Sequence, residues 1–143
     1  MNQKKPKIVY SYYVLDILHK GHLLLMKNAK AVAGKNGKLI AGILTDQAAM
    51  EKKPKPVIPF EERLEIAGAI KYVDLVVPQE TYSPLPNIQK IKPDVLMESA
   101  SHNEKDIEKY RKYMESIGGK VIVLPYFPKL SSTNIKHKIQ KFK

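Results

Sequence analysis

An α/β fold with a parallel sheet covered by helices on both faces is what these 143 residues predict, and three observations carry the prediction. Five short runs rich in Val, Ile, Leu and Tyr alternate with segments of helical period, the pattern of repeated strand–helix–strand units. Connections of that length are crossovers, which make neighbouring strands parallel. Beyond the carboxyl ends of three runs lie stretches suited to phosphate: His19-Lys20-Gly21-His22, Lys52-Lys53 and Ser131-Ser132-Thr133. Sheets of this kind bind ligands at that edge, where the strand order switches.

The elements follow in order. Ile8 to Val14 is β-branched and aromatic, long enough for one buried strand. Leu23, Leu24, Leu25, Met26, Ala29, Ala31 and Val32 form a helical apolar stripe that ends at Gly34. Lys38–Leu44 is the second strand, stopped at Thr45-Asp46. From Gln47 to Pro59 the prolines Pro54, Pro56 and Pro59 argue against regular structure throughout. Phe60 to Ile70 is helical by period, with Glu61 and Glu62 in the first turn, where the helix dipole favours them. Tyr72–Val77 reads as the third strand, closed by Pro78, and a proline-rich loop leads to a short helix from Asn87 to Ile91. Asp94–Met97 is the fourth strand, Ser101–Gly118 a polar-faced helix, and Val121–Leu124 the fifth strand. Ser131 or Ser132 caps a last helix through about Gln140. The expected whole is one Rossmann-like, three-layer domain over residues 1–143, with a five-stranded parallel sheet, a flexible lead at 1–6 and a tail at 141–143.

Composition narrows the function. Apolar residues at 43% and charged residues at 27% are those of an ordinary globular chain. A single domain of this length buries roughly 68% of its unfolded surface. The absence of cysteine removes disulfides and thiolate metal sites from consideration. No apolar run approaches the ~18 residues of a membrane span, and the basic N-terminus lacks the cleavage site of a signal peptide, so the cytoplasm is the expected setting. The net charge of +11 gathers at Lys4–Lys7, Lys52–Lys55 and the acid-free stretch from Lys129 to Lys143. A basic surface attracts nucleic acid. Here no nucleic-acid motif or aromatic ladder accompanies it, so a lysine-rich surface around a triphosphate site is the preferred reading.

His19 and His22 sit at the strand-to-helix turn, on one helix face, with Gly21 between them. A helix start offers free N–H groups and a positive dipole end, and glycine lets a bulky anion approach the backbone. A metal site is not expected: zinc pairs on a helix use i, i+4 spacing, and the remaining histidines are His102 and His137.

The motif Asp16-Ile17-Leu18-His19-Lys20-Gly21-His22 resembles the HxGH signature of the nucleotidyltransferase superfamily that includes cytidylyltransferases. Thr45-Asp46, Lys53 and Glu61-Glu62-Arg63 match that family's register, with Lys53 in the place of its catalytic lysine and Lys52 a close second. Lys71-Tyr72-Val73-Asp74 looks like its basic-Tyr-Val-Asp element, and Leu130–Lys136 like its Ile-Ser-(Ser/Thr)-Thr-x-Ile motif. The resemblance spans residues 8 to 140. Within the family, Val77-Pro78-Gln79-Glu80-Thr81 followed by Leu85-Pro86-Asn87 and Ile91-Lys92-Pro93-Asp94 looks most like the branch found with phosphoenolpyruvate mutase, which makes CMP-phosphonates, with glycerol-3-phosphate cytidylyltransferase the next most similar. Three departures stand out: Tyr13-Val14-Leu15 replaces Gly-Thr-Phe, Ser99-Ala100-Ser101-His102 replaces Gly-x-Asp-Trp, and Pro128-Lys129 replaces Glu-Gly.

The resemblance implies transfer of CMP from CTP to a small phosphate or phosphonate, with pyrophosphate released. It assigns catalysis to His19, His22 and Lys53, and nucleotide binding to Asp16, Gly21, Asp46, Lys52, Arg63, Lys71, Ser99, Ser101, Ser131, Ser132 and Thr133. Among these, Arg63, Lys71, Ser132 and Thr133 would secure the leaving phosphates. Magnesium would accompany the triphosphate, and relatives are commonly homodimers. An ATP-dependent adenylyltransferase resembling FAD synthetase, a nucleotide-binding module without catalysis, and a basic nucleic-acid-binding protein are the alternatives.

Overall fold

A computed structural model of the chain describes residues 5–125 and 132–140. The elements run β1 (Ile8–Tyr13), α1 (Lys20–Ala33), β2 (Lys38–Leu44), α2 (Asp46–Met50), α3 (Phe60–Gly68), β3 (Leu75–Gln79), α4 (Leu85–Ile91), β4 (Val95–Ser99), α5 (Glu104–Ser116), β5 (Lys120–Leu124) and α6 (Ser132–Gln140). The expected flexible lead and tail fall largely on residues 1–4 and 141–143, outside the described residues.

All five strands are parallel, in the order β3-β2-β1-β4-β5. The Rossmann-like, three-layer α/β architecture is therefore as expected. Period-two alternation along the strands divides the core. Val9, Leu39 and Val95 point to one face, where Met26 and Ala29 of α1 and Ala67 of α3 cover them. Their neighbours Tyr10, Ile40 and Leu96 point to the other, against Ile88 of α4 and Tyr110 and Met114 of α5. The strand order turns back on itself between β1 and β4, so the crevice at their carboxyl ends is the expected site.

Two elements differ from expectation. The segment after Thr45 opens with α2, which the prolines further on obscured. Thr45 is its N-cap, its hydroxyl accepting the Ala48 N–H at 3.1 Å, and Ala48 and Ala49 are fully buried. Strand β3 runs through Pro78 instead of ending before it. β3 is an edge strand, and the Pro78 carbonyl faces away from β2, accepting a hydrogen bond from Asn87 Nδ2 at 2.9 Å. The missing N–H therefore removes no ladder bond.

Candidate functional site

The site begins where β1 runs out. Leu15, 1% exposed, takes a left-handed backbone with φ of 60°, a conformation that turns the chain sharply off the strand. Helix α1 then starts at Lys20 with His19 as its N-cap. His19 Nδ1 accepts the Gly21 N–H at 3.0 Å, and His22 Nδ1 accepts the His19 N–H at 3.2 Å. This is a capping box built from two imidazoles, whose ring centroids lie 3.9 Å apart. An imidazole that accepts through Nδ1 carries its proton on Nε2. Backbone geometry thus fixes the tautomer of both rings and leaves Nε2–H as the donor of each.

Burial pushes the pKa of both histidines down. For His22 the value falls to about 3, through burial first and then repulsion from His19 and Lys53. Both rings are neutral at pH 7 in the unliganded protein. They are donors waiting for an anion, not resident cations.

The histidines open on a cleft of about 710 Å³ beyond the carboxyl ends of β1 and β4. Gly21, Lys53, Asp16 and Lys136 share its wall with them. Asp16 joins three segments: its Oδ1 accepts the Ile58 N–H at 2.9 Å, and its Oδ2 contacts the Lys136 ammonium of α6. Burial works against its charge, but the Lys136 ammonium and the Ile58 and Val57 N–H groups outweigh it, so the carboxyl lies below its ordinary range. Ser99 and Ser101 also line the cleft, their hydroxyls 2.8 Å apart.

Other residues expected to bind nucleotide lie elsewhere. Arg63 is wholly buried, and its guanidinium donates to the carbonyls of Ile58, Val14 and Leu44 at 2.6–2.9 Å and to Asp46 at 2.6 Å. Arg63 and Asp46 are thus a strut behind the cleft. With four of its five donors engaged and no exposed surface, this guanidinium offers no paired N–H fork to a phosphate. Lys71 also lies away from the cleft wall. It precedes β3, at the amino end of the sheet, with its ammonium 5.2 Å from the Tyr72 ring centre. Lys52 pairs with Asp106 of α5 at 3.5 Å and lies over the Tyr82 ring, so of the two adjacent lysines Lys53 is the one on the cleft wall. Helix α6 starts at Ser132, as the capping motif implied, while Ser131 and the side chains of Ser132 and Thr133 fall outside what is described.

Sequence reasoning missed one cluster. At the carboxyl ends of β1 and β4, the Tyr12 hydroxyl lies 2.6 and 2.8 Å from the two oxygens of Glu98, whose side chain is fully buried. His102 Nδ1 contacts the same carboxylate and lies 3.1 Å from the Tyr12 hydroxyl. Tyr12 stacks on His102 at 5.5 Å, and Tyr82 meets that imidazole edge-on at 6.2 Å. Burial, then the Glu98 charge, pushes the Tyr12 and Tyr82 hydroxyls up. The signal was present: Glu98 is a carboxylate at the end of an apolar strand.

Comparison with known proteins adds the family. Residues 14–138 match the family model described as Cytidylyltransferase-like. The chain is 35% identical over 141 residues to the Bifunctional protein HldE of Cronobacter sakazakii, an alignment covering 97% of this chain and 29% of that protein. It is 34% identical over 143 residues to the Shigella flexneri serotype 5b protein of the same name, covering 99% and 29%. The chain therefore spans under a third of the length of these curated relatives. Among solved structures, the lipopolysaccharide core biosynthesis protein of Thermoplasma volcanium superposes with a TM-score of 0.71 at 20% identity, over 85% of this chain and 96% of that one. The Macrolide-efflux Protein of Streptococcus pneumoniae gives 0.65 at 18%, over 96% and 52%. These two are likenesses of fold. With a family model covering most of its length and relatives above 30% identity along nearly all of it, the chain belongs to the cytidylyltransferase-like family of nucleotidyltransferases.

Proposed function

We propose that the chain transfers a nucleotidyl group, CMP from CTP, to a small phosphate or phosphonate monoester. The acceptor oxygen attacks the α-phosphorus in line; a P–O bond forms as the α–β bond breaks, and pyrophosphate leaves. The acceptor is an anion already, so no general base is needed. Such reactions depend on positioning and on neutralising charge as it develops.

The observation that carries this reading is the His19–His22 pair, with both Nδ1 atoms committed to the backbone at the start of α1. The two Nε2–H donors would hold the α-phosphate oxygens, with the Gly21 backbone close by. Lys53 would bridge the α-phosphate and the acceptor. The start of α6, with Ser131, Ser132 and Thr133, would receive the leaving phosphates. Ser99 and Ser101, which line the cleft, would meet the nucleoside or the acceptor.

Magnesium fits as a partner of the triphosphate. Among the described residues no three His, Asp or Glu side chains gather into a metal set, and Asp16 is engaged by Lys136 and Ile58, so nucleotide oxygens would supply its ligands. When bound, the ion supplies charge neutralisation on the leaving pyrophosphate.

ATP is the second reading, favoured by the Ser99–His102 loop, which lacks the Asp-Trp pair of many relatives. Pyrophosphate release measured with CTP and with ATP tests both. The acceptor panel is 2-hydroxyethylphosphonate, 2-aminoethylphosphonate, glycerol 3-phosphate, phosphocholine, phosphoethanolamine and FMN. CTP-dependent release is the expected result, lowered at least ~10²-fold in His19→Ala and His22→Ala with the fold retained. Release with ATP alone would establish the second reading, and full activity in either histidine variant would remove the mechanism.

A further inference from the structure

Lys52 and Lys53 are adjacent, yet they face different surroundings. Lys53 stands on the cleft wall, and its charge helps keep His22 neutral. Lys52 lies 5.0 Å from the centre of the Tyr82 ring and 3.5 Å from Asp106 of α5. The chain around them has little of its own to hold it. Helix α2 is five residues long, and Pro54 and Pro56, which follow, have no N–H to donate.

The loop after β3 supplies the hold. Gln79, 1% exposed, donates its side-chain amide to the Thr81 and Tyr82 carbonyls at 3.1 Å each, and its Oε1 accepts the Tyr10 hydroxyl at 2.5 Å. The loop is therefore fixed from the interior of the sheet. It grips α2 at both ends. The Gln79 carbonyl accepts the N–H of Thr45, the N-cap, at 3.0 Å. Glu51, the C-cap, accepts the Tyr82 N–H at 2.9 Å. A carboxylate at a helix C-terminus meets the negative end of the dipole, and this bond offsets that. Between the two ends, Tyr82 packs on the cluster of Leu44, Ala48 and Ala49. The Lys52 and Lys53 N–H groups donate to the Ala49 carbonyl at 3.2 and 3.0 Å, which joins the lysine backbone to the gripped turn. Beyond the prolines the chain is anchored again, where Asp16 accepts the Ile58 N–H. Exposed contacts are worth little singly. Here they converge on one short segment.

We propose that Glu51 and Lys52 are positioning residues for Lys53: through the Tyr82 N–H and ring they fix the segment that carries the Lys53 ammonium to the cleft. The inference rests on the transfer reading, in which Lys53 bridges the α-phosphate and the acceptor. It gives the adjacent lysines separate duties, one toward the substrate and one toward the loop. In-line attack is sensitive to displacements of about 1 Å, so loosening this segment lowers turnover more than nucleotide binding.

Pyrophosphate release and amide hydrogen exchange test it together. Glu51→Ala and Lys52→Met alter exposed side chains, and each is expected to lower kcat ~10-fold with the KM for nucleotide changed by less than about twofold. Glu51→Gln keeps an oxygen for the Tyr82 N–H and is expected to recover most of that loss. In a Lys53→Met background neither substitution should cost anything further. A rise in nucleotide KM in Lys52→Met that persists in the Lys53→Met background would make Lys52 a direct ligand and overturn the inference. Unchanged kcat in both single variants would overturn it too. If the wild-type protein releases no pyrophosphate with any acceptor, the transfer reading fails, and exchange then decides the clamp by itself. Exchange of the Lys52 and Lys53 amides that is ~5-fold or more faster in Glu51→Ala, with β1 and β2 amides unchanged, sustains it. Unchanged exchange at those lysines removes it.

Discussion

His22 carries two roles through two nitrogens. Nδ1 caps the helix, and Nε2–H is left for the ligand. Because Nδ1 is held by the cap and burial keeps the ring neutral, nucleoside triphosphate binding is expected to take up no proton at His22 between pH 6 and 8. Titration calorimetry in buffers of different ionisation enthalpy checks this, and proton uptake that disappears in His22→Ala would contradict it. Arg63 shows the other side of residue-scale reading. A motif gives spacing but not direction, and the register that places Arg63 in a phosphate-binding position is equally the register of an inward-pointing strut. Its four hydrogen bonds tie the ends of β1 and β2 to the segment before α3. Arg63→Met is expected to cost at least ~3 kcal/mol, since it strands buried carbonyls and the Asp46 carboxylate. Urea unfolding measures it.

At the level of elements, the strands were legible to within a few residues because a strand buried on both faces is a near-continuous apolar run. Helix α2 was not, although Thr45 followed by Ala48 and Ala49 is a cap before a buried turn; prolines from Pro54 onward dominated the reading. Pro78 misled in the opposite way, since only the topology reveals that β3 is an edge. Glu98 alone was a signal, but its grouping with Tyr12 and His102 was not legible, because it joins residues 86 and 90 positions apart through the pairing of β1 with β4. Capping also makes a prediction for α5. Asn103 is its N-cap, its side-chain oxygen accepting the Lys105 N–H at 2.8 Å, and the helix ends of that face carry His102 and Asp106. Asn103→Ala is expected to lower stability by about 1 kcal/mol. A thermal melt reads the loss.

For the whole molecule, the titrating groups make it acid-sensitive. His19 and His22 have folded pKa values below their unfolded ones, so the unfolded chain binds protons that the folded chain refuses. Their contribution is full above about pH 6.5 and is lost as pH falls toward 3. Asp16 and Asp74 are also depressed and lose their contribution lower, as pH falls through their folded values. Stability at pH 5 is expected to be about 1–2 kcal/mol below that at pH 7.5, with His22 the main cause, and His22→Ala should flatten the change. Denaturant midpoints across that range measure it.

The strand order β3-β2-β1-β4-β5 also sets a timetable. A chain emerges from the ribosome N-terminus first, and its early segments begin to fold before the later ones exist. The first strand made is the middle one of the sheet, so β1 can acquire β2 and β3 while its other edge stays bare until residues 95–99 are synthesised. His19, His22 and Lys53 are therefore made before β4. The Tyr12–Glu98–His102 cluster cannot exist before Glu98 arrives. During that interval Tyr12 sits at an open strand edge, so slowing synthesis just before β4 would lengthen the exposure of that edge.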